Sequence, residues 1–95
     1  MAKRQLPPGY RLGVVAFLNL LRLWTKEMRD EPVSCAADMR IAVADQPESF
    51  RIGFEECVAL YIQTVIEGSA PYPEQWDPIR ELEDLHWYKE DQGDA

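Results

Sequence analysis

The pairing with the greatest chemical reach in this chain is Glu83 with His86, in the run Glu83-Asp84-Leu85-His86. On a helix, a Glu-x-x-His spacing brings both side chains to one face, and helical dimetal centres use two such pairs with two further glutamates. The chain holds one histidine. A metal site would therefore need two copies about a symmetry axis, completed by Glu55, Glu56 or Glu27. The plainer reading is a surface glutamate beside an imidazole half-buried between Leu82, Leu85 and Trp87. A metal-binding helical protein using Glu83 and His86 is carried as a second alternative, and no cofactor or metal is assigned.

Covalent chemistry is less well served. Cys57 follows Glu55 and Glu56, and adjacent carboxylates raise a thiol's pKa rather than activate it. Cys35 lies 22 residues before Cys57 with no CxxC pair, so two free buried thiols in a reducing compartment are expected. His86 has no flanking motif that would make it the base for either thiol. Glu81, Glu83 and Asp84 form a charge run at helical spacing, the pattern of a solvated face more than of an acid–base site. The glycines at 9, 13, 53, 68 and 93 form neither GxGxxG nor GxxxxGK, so no phosphate loop is present. Catalysis is not expected.

Charge offers a different chemistry. Residues 1–29 carry Lys3, Arg4, Arg11, Arg22, Lys26 and Arg29 against Glu27 alone, a net +5, and the remainder carries the rest of the total of −7, a net −12. Arg11, Arg22, Lys26 and Arg29 fall with Val15 and Asn19 within one helical arc of about 80°. Four cations on one stripe can track phosphates, so a nucleic-acid-binding regulator is the first alternative. Against it stand the acidic bulk and the run Glu48-Ser49-Phe50-Arg51-Ile52. The latter puts an acid where a recognition helix over 48–67, following one over 33–45, should read base edges. Nucleic acid is therefore not the favoured partner.

These residues need elements to position them. With 46% hydrophobic and 11% aromatic residues over 95 positions, the composition predicts one globular domain, residues 1–95, with flexible ends at 1–8 and 91–95. The expected fold is all-α, a small bundle of about four helices over 10–30, 33–45, 47–67 and 78–90. In the first, GVVAFLNLLRLW (13–24) is too short and too interrupted by Arg22 to span a bilayer, which needs about 20 apolar residues. The segments around it also lack the form of an export signal. No membrane contact and a cytoplasmic location are expected. Asp45-Gln46-Pro47-Glu48 and Asp77-Pro78 have the form of helix starts, and Gly68 that of a helix stop. Tyr72 and Trp76 should pin the proline-rich linker 69–78 to the core. Alternation at Met39, Ile41, Val43 and at Phe50, Ile52, Phe54 supports a competing fold of three helices plus a β-hairpin at 39–54.

The first helix is apolar over about 240° of its circumference, more than one neighbour can cover. Either it is central, or Phe17, Leu20, Leu21 and Trp24 meet a partner or a second copy. The last helix sets Trp87 and Tyr88 beside Glu83, Asp84 and Glu90, rings that anchor and acids that steer toward a basic surface. The expected function is a small acidic protein-binding module. It would act as an inhibitor or adaptor of a larger, nucleic-acid-handling protein, in the manner of phage-encoded inhibitors, with homodimerisation as a further expectation.

Overall fold

The computed structural model describes the backbone of residues 6–93 and the side chains of residues 6–86. Four α-helices follow one another: α1 (Pro8–Lys26), α2 (Pro32–Val43), α3 (Glu48–Ile66) and α4 (Pro78–Gly93), with a short 3-10 turn, Pro73–Gln75, before the last. Among the described residues there is no strand, so the hairpin at 39–54 does not form. Its alternation would have turned Ile41 and Ile52 inward, yet these are 73% and 39% exposed. Helical spacing decides instead, because Phe54 and Cys57 are buried and Phe50, Val58 and Tyr61 pack against them.

The first helix ends four residues earlier than 30. Met28 adopts φ 52°, Met28 N–H donates to Thr25 O at 3.1 Å and Arg29 N–H to Trp24 O at 2.9 Å. That is the Schellman pattern, here with a methionine where glycine is usual. The same two bonds close α3 at Gly68, whose φ is 74°. Asp45, expected to cap α3, instead takes φ 60° just beyond α2, and α3 begins at Glu48 after Pro47. Asp77 does cap α4: its Oδ1 accepts Arg80 N–H at 3.4 Å, with Pro78 in the first helical position. Leu6 packs on the core and α4 continues to Gly93; residues 1–5, 94 and 95 lie outside the described residues.

The helix α1 is central and touches α2, α3, α4 and the 3-10 turn. It and α3 run parallel, with Tyr10 beside Gly53 and Phe17 edge-on to both Phe54 and Tyr61, at centroid distances of 5.6 and 6.3 Å. The two backbones touch where glycine permits it. A Cβ at Gly13 would lie 2.8 Å from Phe54 N and nearer still to Phe50 O, and one at Gly53 would lie 2.9 Å from Tyr10 C. Gly9 meets the Ser49 side chain in the same seam.

The core is built from Tyr10, Val14, Phe17, Leu18 and Leu21 of α1 with Phe54, Cys57, Trp76 and Leu82. Phe17 and Leu21 are thus interior, and Leu20 and Trp24 pack partly buried against them. Of the two alternatives for this apolar surface, a central helix or a face met by another chain, the position of α1 packs these four residues within the chain. Leu12 and Leu23 are the exposed leucines of α1. Trp76 anchors the linker, 5% exposed, with Nε1–H donating to Glu81 Oε2 at 2.6 Å. Tyr72, by contrast, is 77% exposed and pins nothing. The principal extents of 45 × 34 × 19 Å describe a flattened molecule, about two helix diameters thick. In keeping with that, α2 buries none of its residues fully.

Polar clasps hold the flanks. Asp38 of α2 accepts Trp24 Nε1–H at 3.0 Å and Arg29 Nη1–H at 2.6 Å. The tryptophan bond, then Arg29, hold its carboxyl below the usual carboxylate range. A lowered folded-state pKa adds stability above the unfolded value, and that stability is lost as pH falls through the folded one. Asp38→Asn should therefore lose less stability than wild type between about pH 6 and pH 3 in urea titrations.

The glycine seam yields a sharper expectation. Gly13→Ala should cost about 2–3 kcal/mol or more in the same titration, because backbone atoms must separate. Gly68→Ala, strained in φ but with open space around its Cβ, should cost only about 1 kcal/mol.

Candidate functional site

Tyr10, Glu56 and His86 converge from α1, α3 and α4. Tyr10 Oη–H donates to Glu56 Oε1 at 2.5 Å, and His86 Nε2 lies 2.8 Å from the same oxygen and 3.2 Å from Tyr10 Oη. With the phenol donating, the imidazole Nε2–H is the second donor on that oxygen. The two rings meet edge to face, centroids 5.4 Å apart. Burial first, then the bond to Glu56 and its negative charge, push the Tyr10 phenol far above its ordinary range. It therefore stays a donor throughout the working pH range.

A carboxylate beside an imidazole is also the arrangement of a general base. The hydroxyl beside His86, however, is that of Tyr10, whose proton is already given to Glu56. Cys57 is completely buried, and burial, then Glu81, push its thiol up to about 12. Cys35 is also a free thiol, partly buried on α2. What the three residues accomplish is to tie three helices at one point.

Beside this clasp, α3 and α4 are separated by a groove. Its first part, of about 320 Å³, has Leu60, Leu82 and Leu85 as its floor and Glu56 and His86 at one end. An adjoining hollow of about 540 Å³ shares Leu60, Gln63 and Leu85 and is edged by Glu67, Glu81 and Asp84. Four carboxylates and one imidazole line the whole, and no lysine or arginine does. A second hollow, of about 360 Å³ between α2 and α3, carries both Arg40 and Glu55 and so has no single sign.

The residues singled out by sequence separate into several places. Glu83 turns to Arg11 and pairs with it, while His86 turns to Glu56, so the two parts of the Glu-x-x-His pair have different partners. Among the described residues no three carboxylate, thiol or imidazole groups cluster as a metal would need. Asp84 is exposed at the groove's edge. The side chains of Trp87, Tyr88 and Glu90 lie outside the described residues.

The basic stripe is largely spent within the fold. Arg11 holds Glu83. Arg22 Nε–H donates to Pro73 O at 2.9 Å, and its Nη2 donates to Glu74 O at 3.4 Å. Arg29, beyond the end of α1, pairs with Asp38 and Glu27. Lys26 is exposed and bonded to none of the described residues. No helix among the described residues is long and apolar enough to cross a membrane.

Leu60 and Glu67 were not singled out by sequence, and Glu81 was read only as part of a solvated charge run. The available signal was Leu60, a large apolar residue off the Phe50-Phe54-Cys57-Tyr61 stripe. Leu85 is 50% exposed in the groove.

The fold and groove define an all-α bundle with an acid-edged cleft. Comparisons with protein-family models, with curated proteins and with solved structures return no match.

Tyr10→Phe should leave the fold intact, because only the hydroxyl is lost. It should cost about 1 kcal/mol in urea titration, the net worth of one buried hydrogen bond. A variant as stable as wild type would mean that the clasp does not hold the helices.

Proposed function

We propose that this chain is a small acidic protein-binding module, an inhibitor or adaptor that receives another protein in the α3–α4 groove. The groove itself carries the reading: an apolar floor of Leu60, Leu82 and Leu85 beneath a rim of Glu56, Glu67, Glu81 and Asp84. Apolar floors supply affinity and charged rims supply orientation and on-rate. A rim of this sign favours a partner with a basic surface, as nucleic-acid-handling proteins present.

The nucleic-acid regulator loses support, because Arg11, Arg22 and Arg29 are all engaged within the chain. Homodimerisation is not required to close the core, since one chain's helices bury it. A cytoplasmic setting fits two free thiols.

The test is affinity capture from cells that encode the protein, comparing wild type with Leu85→Asp after circular dichroism shows equal helicity. A partner retained by wild type and lost from the variant is the expected result. Identical sets of captured proteins on both would sink the reading.

A further inference from the structure

We infer that the occupant of the α3–α4 groove is a basic amphipathic α-helix belonging to another protein. This rests on the docking role just proposed and names the partner's form. Length is the first argument. The groove follows α3 from Glu56 to Glu67, which at 1.5 Å per residue is about 16 Å, or three helical turns. Leu60 and Leu85 on that floor, with the buried Leu82 beneath them, suit an apolar stripe repeating at three and four residues.

Backbone chemistry is the second argument. Both walls are helices, whose peptide groups are bonded internally along their length. An extended peptide laid between them would find no edge to pair with and would bury unsatisfied amides. A helix brings its own hydrogen bonds and needs only side-chain contact. Two helices with an open seam accept a third at the ordinary interaxial distance of about 8–10 Å.

Charge is the third. Carboxylates stand on both walls, Glu56 and Glu67 on α3 and Glu81 and Asp84 on α4. The guest helix therefore carries lysine or arginine on both flanks of its apolar stripe. A nucleic-acid strand would meet repulsion on both sides. A second copy of this chain fits poorly too: the core-facing stripe of its basic helix is buried, and Arg11 and Arg22 of that helix are already bonded.

The probe is a fluorescein-labelled 16-residue peptide with leucines at helical spacing and lysines on both flanks. It is titrated by anisotropy into the full chain, beside an isomer with glutamates for lysines. The lysine peptide should bind in the micromolar range and lose about tenfold in affinity between about 50 and 300 mM salt. Leu85→Asp should weaken it about tenfold or more, and Glu67→Lys about tenfold. Leu12→Asp, on exposed α1 surface away from the groove, should leave binding unchanged.

Three results would overturn the inference. They are equal binding of the glutamate isomer, indifference to Leu85→Asp, and no binding of the lysine peptide. Should wild type still capture a Leu85-dependent partner from cells while the peptide fails, groove docking stands and the basic-helix occupant falls. Light scattering that finds a dimer broken by Leu85→Asp would put a second copy in the groove and overturn it as well.

Discussion

Contact between the backbones of α1 and α3 fixes the spacing on which the remaining contacts depend. Gly9 and Gly13 on one helix face Ser49, Phe50 and Phe54 on the other, while Gly53 faces Tyr10. Small residues let two helices approach until main-chain atoms touch, and any side chain there would force them apart. With the axes held that close, Phe17 reaches both Phe54 and Tyr61 edge-on. Tyr10, seated over Gly53, comes within bonding distance of Glu56 one turn further along α3. The clasp with His86 follows from that placement, and through it the position of α4 and the far wall of the groove.

The parallel course of α1 and α3 also determines where the other elements go. A chain that must return between two parallel helices needs a crossing helix, and α2 supplies it, tied back by Asp38 to Trp24 and Arg29. The second return is the linker that Arg22 grips through the carbonyls of Pro73 and Glu74. From there α4 descends until Glu83 meets Arg11 near the start of α1. Three cations of the basic N-terminal region are thus used at three junctions of the fold. The charge asymmetry of the sequence is an assembly device, and what it leaves around the α3–α4 groove is acidic.

Much of this was legible in residue patterns. The helix over 47–67, the Asp77-Pro78 start and the Gly68 stop follow from local rules, and the structure keeps them. The end of α1 was not legible, because Met28 in a left-handed conformation gives no sign of it in its residue type. A non-glycine residue there costs about 1–2 kcal/mol, offset by the two bonds that close the helix. The glycine seam escaped for another reason: Gly9 and Gly13 mean nothing until Ser49 and Gly53 are known to face them. The surplus apolar surface of α1 was visible, but the choice between a central helix and an intermolecular one is made by topology. Of the site, Asp84 was anticipated at the surface. Glu83 could not be told from a free acid until Arg11 was seen beside it.

The groove's composition separates two functions that a single surface patch would mix. Covering a fully exposed leucine contributes about 1.5–3 kcal/mol, so the half-exposed Leu85 and partly buried Leu60 supply a share of a modest affinity, while Leu82 is already covered by the chain itself. The floor is indifferent to which apolar side chains cover it. Discrimination must then come from the rim, where carboxylates on both walls make a like-charged guest costly and a basic one fast to arrive. Glu56 joins the two parts, because the oxygen that holds Tyr10 and His86 belongs to a side chain that also borders the groove. The clasp that positions α4 therefore also fixes one end of the surface a guest would meet, so the walls can be set before a guest arrives.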